Sequence, residues 1–248
     1  MTERKKSILH RFWRTFKHIV YPRVCLACKQ RLPESLTDDI LCVECRKKIK
    51  KNIPPFCSSC GRHLVIVHSG EKICAECFKK NLHFDRAFSP CRYDGPVKEL
   101  IHEFKYKNKE YLGGPLSQLM IDFIKHYAVP IENIDYIIPM PLHPVKLRER
   151  EFNQAGILGD HIAREFNKSI GHRVLLKQKW TKTQTELSHE ERMHNVKNSF
   201  RVSDGNVIKG KNILLIDDVL TTGATASEAA FTLKQYGAAA VFILAIAS

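Results

Sequence analysis

Apolar runs and amphipathic stretches alternate along the chain from about residue 84 onward. Continuous apolar runs of strand length predict buried strands, and they occupy residues 174–176, 213–216 and 238–247. Residues 134–138, which are apolar except for Asp135, are also predicted to form a strand. Helical spacing of apolar residues predicts helices over 97–104, after 113–115, over 152–166 and over 225–236. Alternation of strands with helices predicts an α/β fold, and we expect a Rossmann-like parallel sheet of about five strands.

Two connections in this pattern have unusual composition. The strand at 134–138 leads into a proline-rich loop, residues 139–144, in which prolines alternate with other residues. Because proline fixes its own φ and restricts the residue before it, this loop should be extended and rigid. A basic stretch at 146–150 follows it directly, and a long polar passage at 179–198 precedes the last strands.

The strand at 213–216 runs into two adjacent carboxylates, Asp217 and Asp218, and then a small-residue loop, residues 221–225. Ligands of parallel sheets bind beyond the carboxyl ends of the strands. The loop offers backbone N–H groups, hydroxyls and a glycine at the start of a helix, which suits phosphate. The lysine and the long glycine-rich loop of a P-loop are missing. The segment therefore predicts a phosphorylated-sugar site, against the alternative of an ordinary strand end followed by a turn.

Eight of the nine cysteines form two units with the pattern C-x2-C-x13-C-x2-C, offset by 32 residues. Leu32 and Leu64, and likewise Glu44 and Glu76, share this offset, which indicates an internal duplication. Four thiolates at this spacing bind one structural zinc ion, so two zinc ions are predicted. The ligands are Cys25, Cys28, Cys42 and Cys45, and Cys57, Cys60, Cys74 and Cys77.

Alternatives to this metal assignment concern oxidation and pairing. A disulfide framework is disfavoured because we find no secretory signal peptide and expect a reducing compartment. Pairing within each unit is preferred, and pairing interleaved between the units remains open. Cys91 is left over, and we expect it to be a small core residue.

Positive charge is concentrated in the N-terminal third. Residues 1–80 carry 18 Lys and Arg against 7 Asp and Glu, whereas residues 81–248 carry 22 against 19. The cationic run at 46–51 lies between the two cysteine units and suggests contact with nucleic acid. The alternative is a solvated, solubilising face, since no aromatic residues are interleaved with the run.

Residues 4–20 combine apolar residues at helical spacing with six basic residues, which predicts a basic amphipathic helix. Such a helix cannot cross a bilayer, but it could lie on an anionic one or dock on the larger domain. We expect a cytoplasmic protein with three parts: this helix (1–22), the two cysteine units (23–80) and the α/β domain (81–248). Contact of the protein with the surface of the inner membrane is an alternative that stays open.

Segment 213–225 resembles the motif of type I phosphoribosyltransferases that binds phosphoribosyl pyrophosphate (PRPP). With the double zinc ribbon, the proline-rich loop and the polar passage, nearly the whole chain resembles the ComF family, specifically its ComFC branch. The supporting residues are the loop 139–144, then Arg148 to Arg150, Phe152, Asn153, Gln154, Gln184, Leu187, Arg192 and Asn195. The resemblance implies a role in natural competence, the import of single-stranded DNA, together with a DNA-translocating ATPase of the ComFA type.

The same resemblance implies roles for individual residues. Asp217 and Asp218 would bind the ribose hydroxyls of PRPP, and residues 182–195 would form a flexible lid. The 5-phosphate would be bound by Thr221, Thr222, Gly223, Ala224 and Thr225. The pyrophosphate side would be Met140, Pro141, Leu142, His143, Arg148 and Arg150. Magnesium is expected with PRPP, bridging pyrophosphate oxygens and ribose hydroxyls.

One position departs from the family pattern. The family usually has glycine after the second arginine, where this chain has Glu151. The carboxylate of Glu151 would repel pyrophosphate. A glutamate residue also adopts fewer backbone conformations than glycine. The departure puts the pyrophosphate contact of Arg150 in question.

Two functions stay open at this point. One is a DNA-uptake factor that binds PRPP and uses its zinc ribbons to contact single-stranded DNA or a partner. The other is a metabolic phosphoribosyltransferase with an unidentified nitrogen acceptor. Purine salvage is disfavoured, because Thr221 stands where enzymes for hypoxanthine and guanine have an aspartate. The residues assign no general base.

Overall fold

The computed structural model describes residues 23–33, 40–64, 72–127, 129–179 and 196–248. The predicted amphipathic helix at 4–20 and the predicted lid at 182–195 lie outside the described residues. Among the residues that are described, no helix has the length and apolar character needed to span a membrane.

The described residues form seven strands. In chain order these are β1 (Arg86–Phe88), β2 (Tyr136–Pro139), β3 (Ser169–Ile170), β4 (Leu175–Lys177), β5 (Phe200–Val202), β6 (Asn212–Val219) and β7 (Ala240–Ala247). Five of them form one sheet in the order β1-β7-β6-β2-β3, and every pair in it is parallel. The predicted α/β class and the predicted number of strands in the sheet are confirmed.

The strand predicted near residues 174–176 does not join this sheet. It is β4, and it pairs antiparallel with β5, with Leu175 opposite Val202. The edge position next to β2 is taken instead by the two-residue strand β3, through the pair Tyr136 and Ser169. An apolar run predicts an extended segment but not its pairing partner, which is why the sequence misplaced this strand.

Seven α-helices accompany the strands within the described ranges. They are α1 (Val43–Lys47), α2 (Ala75–Phe78), α3 (Gly95–Tyr106), α4 (Gly113–His126), α5 (Pro144–Arg150), α6 (Gln154–Glu165) and α7 (Ala224–Gln235). Short 3₁₀ helices cover Glu110–Leu112, Ile131–Asn133 and Gly205–Val207. The helices predicted as α3, α4, α6 and α7 are confirmed.

Helix α5 was not predicted, because residues 146–150 resemble a basic continuation of the proline-rich loop. Pro144 occupies the first turn of α5, where its missing N–H costs nothing. The Nδ1 atom of His143 accepts a hydrogen bond from the N–H of Val145 at 3.3 Å and so caps the helix.

The core lies on both faces of the parallel sheet. Leu214 and Ile216 of β6 point to one face, where they pack with buried residues of α3, α4 and α6. Ile213 and Leu215 point to the other face and pack with buried residues of α7. This alternation follows from the two-residue period of a strand and explains why residues 213–216 are an unbroken apolar run. The strand does not end there, as expected, but continues through Asp217 and Asp218 to Val219.

The two cysteine units are structural copies, here called the first ribbon (residues 25–45) and the second ribbon (residues 57–77). The N–H of Cys25 donates to the carbonyl of Gln30, and the N–H of Cys57 donates to the carbonyl of Arg62, both at 2.8 Å. Each unit ends in a short helix, α1 or α2, at the same offset. The predicted duplication is confirmed.

Both ribbons pack on the α/β domain. Leu26 and Leu32 of the first ribbon belong to the same buried cluster as residues of α3 and α4. Between the ribbons, buried Asn52 donates from Nδ2 to the carbonyls of Ser89 at 3.0 Å and Cys91 at 3.1 Å. Cys91 is fully buried, and burial raises the pKa of its thiol to about 12. It is a core residue, as expected.

Candidate functional site

Each ribbon gathers four cysteine sulfurs that could hold one metal ion. The Sγ atoms of Cys25, Cys28, Cys42 and Cys45 lie within 4.8 Å of one another, and so do those of Cys57, Cys60, Cys74 and Cys77. The pairing within each unit is therefore confirmed.

The donor set fits zinc. Zinc–sulfur bonds of about 2.3 Å in a tetrahedron require sulfurs about 3.8 Å apart. The Cys28–Cys42 and Cys60–Cys74 sulfur distances are both 3.8 Å. The N–H of Cys45 approaches the Sγ of Cys42 at 3.4 Å, and that of Cys74 approaches the Sγ of Cys57 at 3.3 Å, which stabilises thiolates. Four thiolates leave no coordination position for substrate, so the sites are structural.

A separate cavity of about 290 Å³ opens at the carboxyl edge of the parallel sheet. Strands β2 and β6 are neighbours in register, with Pro139 opposite Ile216. The N–H of Met140 continues the ladder by donating to the carbonyl of Ile216 at 2.8 Å. The proline-rich loop and the small-residue loop are therefore held side by side, which is where ligands of such sheets bind.

Most of the predicted ligand residues line this cavity. They are Met140, Pro141, Leu142, His143 and Arg150 on one side, and Asp217, Asp218, Thr221, Thr222, Gly223, Ala224 and Thr225 on the other. Arg148 is exposed and does not line it. Successive side chains of a helix are about 100° apart, so two residues that differ by two positions face different sides of α5.

Three lysines that were not predicted to belong to the site also line the cavity: Lys105, Lys146 and Lys177. They come from α3, α5 and β4, which lie far apart in the chain. Lys105 Nζ lies 2.7 Å from Asp218 Oδ1. In the sequence, these lysines are marked only by other basic residues nearby. Basic stretches are also common on exposed surfaces, so they do not identify a binding site.

The charges in the cavity influence one another. Burial and the neighbouring carboxylate of Asp218 raise the pKa of Asp217 to about 7. Burial and the positive charge of Lys146 lower the pKa of Lys177 to about 8. Burial and the charge of Arg150 likewise lower the pKa of Lys146. These cations are crowded and partly buried, so their positive charges repel one another. A bound polyanion would offset this repulsion, which favours its binding.

The small-residue loop turns sharply into α7. Gly223 has a φ of +80°, a conformation that glycine adopts without strain, and it is buried. The N–H of Ala224 donates to Oγ1 of Thr222 at 3.3 Å. Within the described residues, the N–H groups of Thr222 and Gly223 have no protein acceptor. They remain available to a ligand.

Two known protein families match separate parts of the chain. A double zinc ribbon domain matches residues 16–78, and a phosphoribosyl transferase domain matches residues 154–248. The second match includes α6, β6, the acidic pair and the small-residue loop.

Three curated relatives match most of the chain. Competence protein F of Haemophilus influenzae is 28% identical over 216 residues, covering 86% of this chain and 91% of the relative. The DNA utilization protein YhgH of Escherichia coli K12 is 29% identical over 225 residues, covering 90% and 96%. Competence protein ComFC of Bacillus subtilis is 29% identical over 237 residues, covering 89% and 92%.

Among solved structures, adenine phosphoribosyltransferase of Saccharomyces cerevisiae is 21% identical, with a TM-score of 0.33, over 53% of this chain and 69% of that one. Glutamine phosphoribosylpyrophosphate amidotransferase of B. subtilis is 18% identical, with a TM-score of 0.34, over 56% of this chain but only 26% of that one.

The curated relatives and the two domain matches together confirm the resemblance to the ComF family. The chain is a homologue of competence protein F, ComFC and YhgH, with a double zinc ribbon and a phosphoribosyltransferase domain.

Proposed function

We propose that this homologue of competence and DNA utilization proteins binds PRPP in the cavity at the carboxyl edge of its sheet and acts in the uptake or use of single-stranded DNA. One observation carries the proposal. The acidic pair, the small-residue loop and four cationic side chains, Lys105, Lys146, Arg150 and Lys177, line one cavity.

The lining of the cavity offers each kind of group that PRPP requires. Thr222 and Gly223 offer backbone N–H groups that suit the 5-phosphate. Lys146, Arg150 and Lys177 offer positive charge that suits pyrophosphate. Asp217 lines the same cavity and would accept hydrogen bonds from ribose hydroxyls. Magnesium, when bound with PRPP, would screen the charge of the pyrophosphate oxygens.

Glu151 does not prevent this assignment of Arg150. The guanidinium of Arg150 donates to Oε1 of Gln154 at 3.2 Å and lies 5.2 Å from the ring centre of Tyr106. These contacts orient Arg150 while it lines the cavity. Glu151 is exposed and is not among the residues that line the cavity.

The cavity also supports a second candidate function, transfer of the phosphoribosyl group to a nitrogen acceptor. In that reaction the bond between C1 of ribose and the pyrophosphate oxygen breaks, and negative charge gathers on the leaving pyrophosphate. Lys146, Lys177 and Arg150 would stabilise that charge.

Calorimetric titration with PRPP, with and without magnesium, tests the common core of both functions. We expect one saturable site per chain. Release of pyrophosphate in the presence of nitrogen acceptors would then identify an enzyme, whereas binding without turnover identifies a PRPP-binding factor. A protein that shows no saturable PRPP binding under either condition would overturn both.

Contact with DNA is proposed for the cationic run at 46–51. Arg46, Lys47, Lys48, Lys50 and Lys51 are all exposed. Two of them have acidic neighbours, with Glu44 3.5 Å from Lys47 and Asp94 2.9 Å from Lys50. Such side chains can contact a phosphate backbone or an acidic partner such as the ATPase implied by the ComF resemblance.

Substitution of these five residues by Gln should weaken binding of single-stranded DNA and flatten its dependence on salt. PRPP binding should persist. A matched control removes the same number of charges from the larger domain, at the exposed residues Lys98, Arg164, Lys197, Arg201 and Lys209. Equal loss of DNA binding in both variants would show that net charge, rather than this surface, is responsible.

A further inference from the structure

The second ribbon contacts the backbone of the small-residue loop directly. The Nη2 atom of Arg62 donates to the carbonyl oxygen of Thr221 at 2.6 Å. Lys80, just beyond the ribbon, donates to the carbonyl of Thr222 at 3.4 Å. Glu76 holds both cations, with its Oε2 atom 3.1 Å from Nη1 of Arg62 and 3.7 Å from Nζ of Lys80.

The second ribbon is also held against the α/β domain by contacts with strand β1. The N–H of Ala87 in β1 donates to the carbonyl of Ser59 at 2.7 Å. A Cβ atom at Gly61 would lie 2.3 Å from the carbonyl oxygen of Ala87, so only glycine permits this approach. The ribbon is thus fixed against the edge strand of the sheet.

The first ribbon provides an internal comparison. At the offset of 32 residues, the counterparts of Arg62, Glu76 and Lys80 are Gln30, Glu44 and Lys48. Glu44 is largely exposed and pairs only with neighbouring Lys47, at 3.5 Å, within the described residues. The two copies keep the glutamate and the lysine, but the second copy alone has the arginine that contacts the loop.

Contacts to the carbonyls determine where the loop N–H groups point. In a planar trans peptide the C=O and the following N–H point in opposite directions. With the carbonyls of Thr221 and Thr222 bonded to Arg62 and Lys80, the N–H groups of Thr222 and Gly223 are directed away from these two cations. The positive charges of Arg62 and Lys80 also make the electrostatic potential at the loop more positive, which favours binding of an anion.

We propose that Arg62 is a positioning residue for the phosphate-binding loop, and that the second ribbon, unlike the first, raises the affinity of that loop for phosphate. Arg62 follows the ligand Cys60 by two residues, and Glu76 lies between the ligands Cys74 and Cys77. Zinc held by these cysteines would therefore also fix the chain segments that carry Arg62 and Glu76. This inference rests on the proposed function.

Two measurements on the full chain test it, with Arg62→Met compared with Gln30→Met at the equivalent position of the first ribbon. The first is hydrogen exchange without ligand at Ala224 and Ser227, whose N–H groups bond to Oγ1 of Thr222 and to the carbonyl of Gly223. Both amides should exchange several-fold faster in Arg62→Met and at the parent rate in Gln30→Met. Zinc content should remain unchanged in both variants.

The second measurement compares ribose 5-phosphate with inorganic pyrophosphate as separate calorimetric ligands. Arg62→Met should lower the affinity for ribose 5-phosphate about tenfold, as expected for the loss of one charge-assisted hydrogen bond. The affinity for pyrophosphate should not change. Arg62→Lys, which keeps a donor and the charge, should recover part of the loss. A general loss of structure would weaken both ligands.

Equal exchange rates in the two Met variants, or equal loss of both ligands in Arg62→Met, would overturn the inference. A parent chain that binds neither PRPP nor ribose 5-phosphate would overturn the proposed function together with the claim about affinity. In that case the exchange rates still decide separately whether Arg62 holds the loop.

Discussion

The ammonium group of Lys105 lies 2.7 Å from Oδ1 of Asp218, and the two side chains are only 16% and 11% exposed. The lysine comes from the end of α3 and the aspartate from β6. Burial alone would lower the pKa of Lys105, but the charge and the hydrogen bond of Asp218, together with the charge of Asp217, outweigh burial and raise the pKa. The acidic pair of the cavity therefore includes one carboxylate that already has a cationic partner.

The first prediction concerns this ion pair. Lys105→Met leaves Asp218 largely buried without its counter-charge and should lower the free energy of unfolding by about 3 kcal/mol. Asp218→Asn should also destabilise the protein, because it leaves the lysine unpaired. Urea unfolding of the double variant should show a loss clearly smaller than the sum of the single losses. Additive losses would mean that the two groups do not interact in solution.

The second prediction uses the pKa of Asp217, which is raised from 3.8 to about 7. Because the folded state holds this proton more tightly than the unfolded state, Asp217 reduces stability as pH rises from about 4 to 7, and the reduction is complete above 7. Asp217→Asn should therefore gain stability relative to the parent over this window, measured by thermal unfolding at several pH values. A difference between the two proteins that is independent of pH would contradict the shift.

The third prediction concerns Glu151, which ends α5 with a φ of +65°. Residues with a Cβ atom adopt this conformation at a cost of about 1 kcal/mol, whereas glycine does so freely. Glu151→Gly should therefore stabilise the protein by up to about 1 kcal/mol in urea unfolding. The control, Glu149→Gly inside the same helix, should destabilise it by a similar amount. Destabilisation by Glu151→Gly would show that its side chain makes a contact that matters.

The fourth prediction concerns the metals. Native mass spectrometry should find two zinc ions per chain, and Cys42→Ser or Cys74→Ser should each weaken one site only. Chelation should also lower the unfolding temperature of the α/β domain, because Leu26 and Leu32 of the first ribbon share its buried cluster. Disulfide-linked protein without metal would contradict the assignment.

The parts of the site that are contiguous in the chain could be predicted from the sequence, and the parts that are distant in the chain could not. Asp217, Asp218 and the loop at 221–225 are consecutive in the chain, so their relation is visible before folding. Lys105 and Lys177 reach the same cavity from α3 and β4, and only the tertiary packing brings them there. Arg148 failed to line the cavity because the proline-rich loop gives way to a helix at Pro144, which turns alternate residues to different sides.

The fold shows the same division. Residues 213–216 of β6 and strand β7 are buried on both faces and therefore appear as unbroken apolar runs that the sequence predicts correctly. The sequence did not predict that β6 continues through Asp217 and Asp218 to Val219. Strand β3 has only two residues, too few to form a recognisable local pattern, and its pairing with β2 is a tertiary contact. The contact of Arg62 with Thr221 joins residues 159 positions apart, so no spacing argument could have found it.

The most direct test of the account is the affinity of the full chain for PRPP with and without the acidic pair. Calorimetry of the parent in magnesium should give one site per chain, and the double variant Asp217→Asn, Asp218→Asn should bind at least tenfold more weakly, since charge-assisted hydrogen bonds contribute about 1.5–3 kcal/mol each. Circular dichroism should confirm that the variant is folded. Equal affinity in the folded variant and the parent would contradict the assignment of the cavity as the PRPP site.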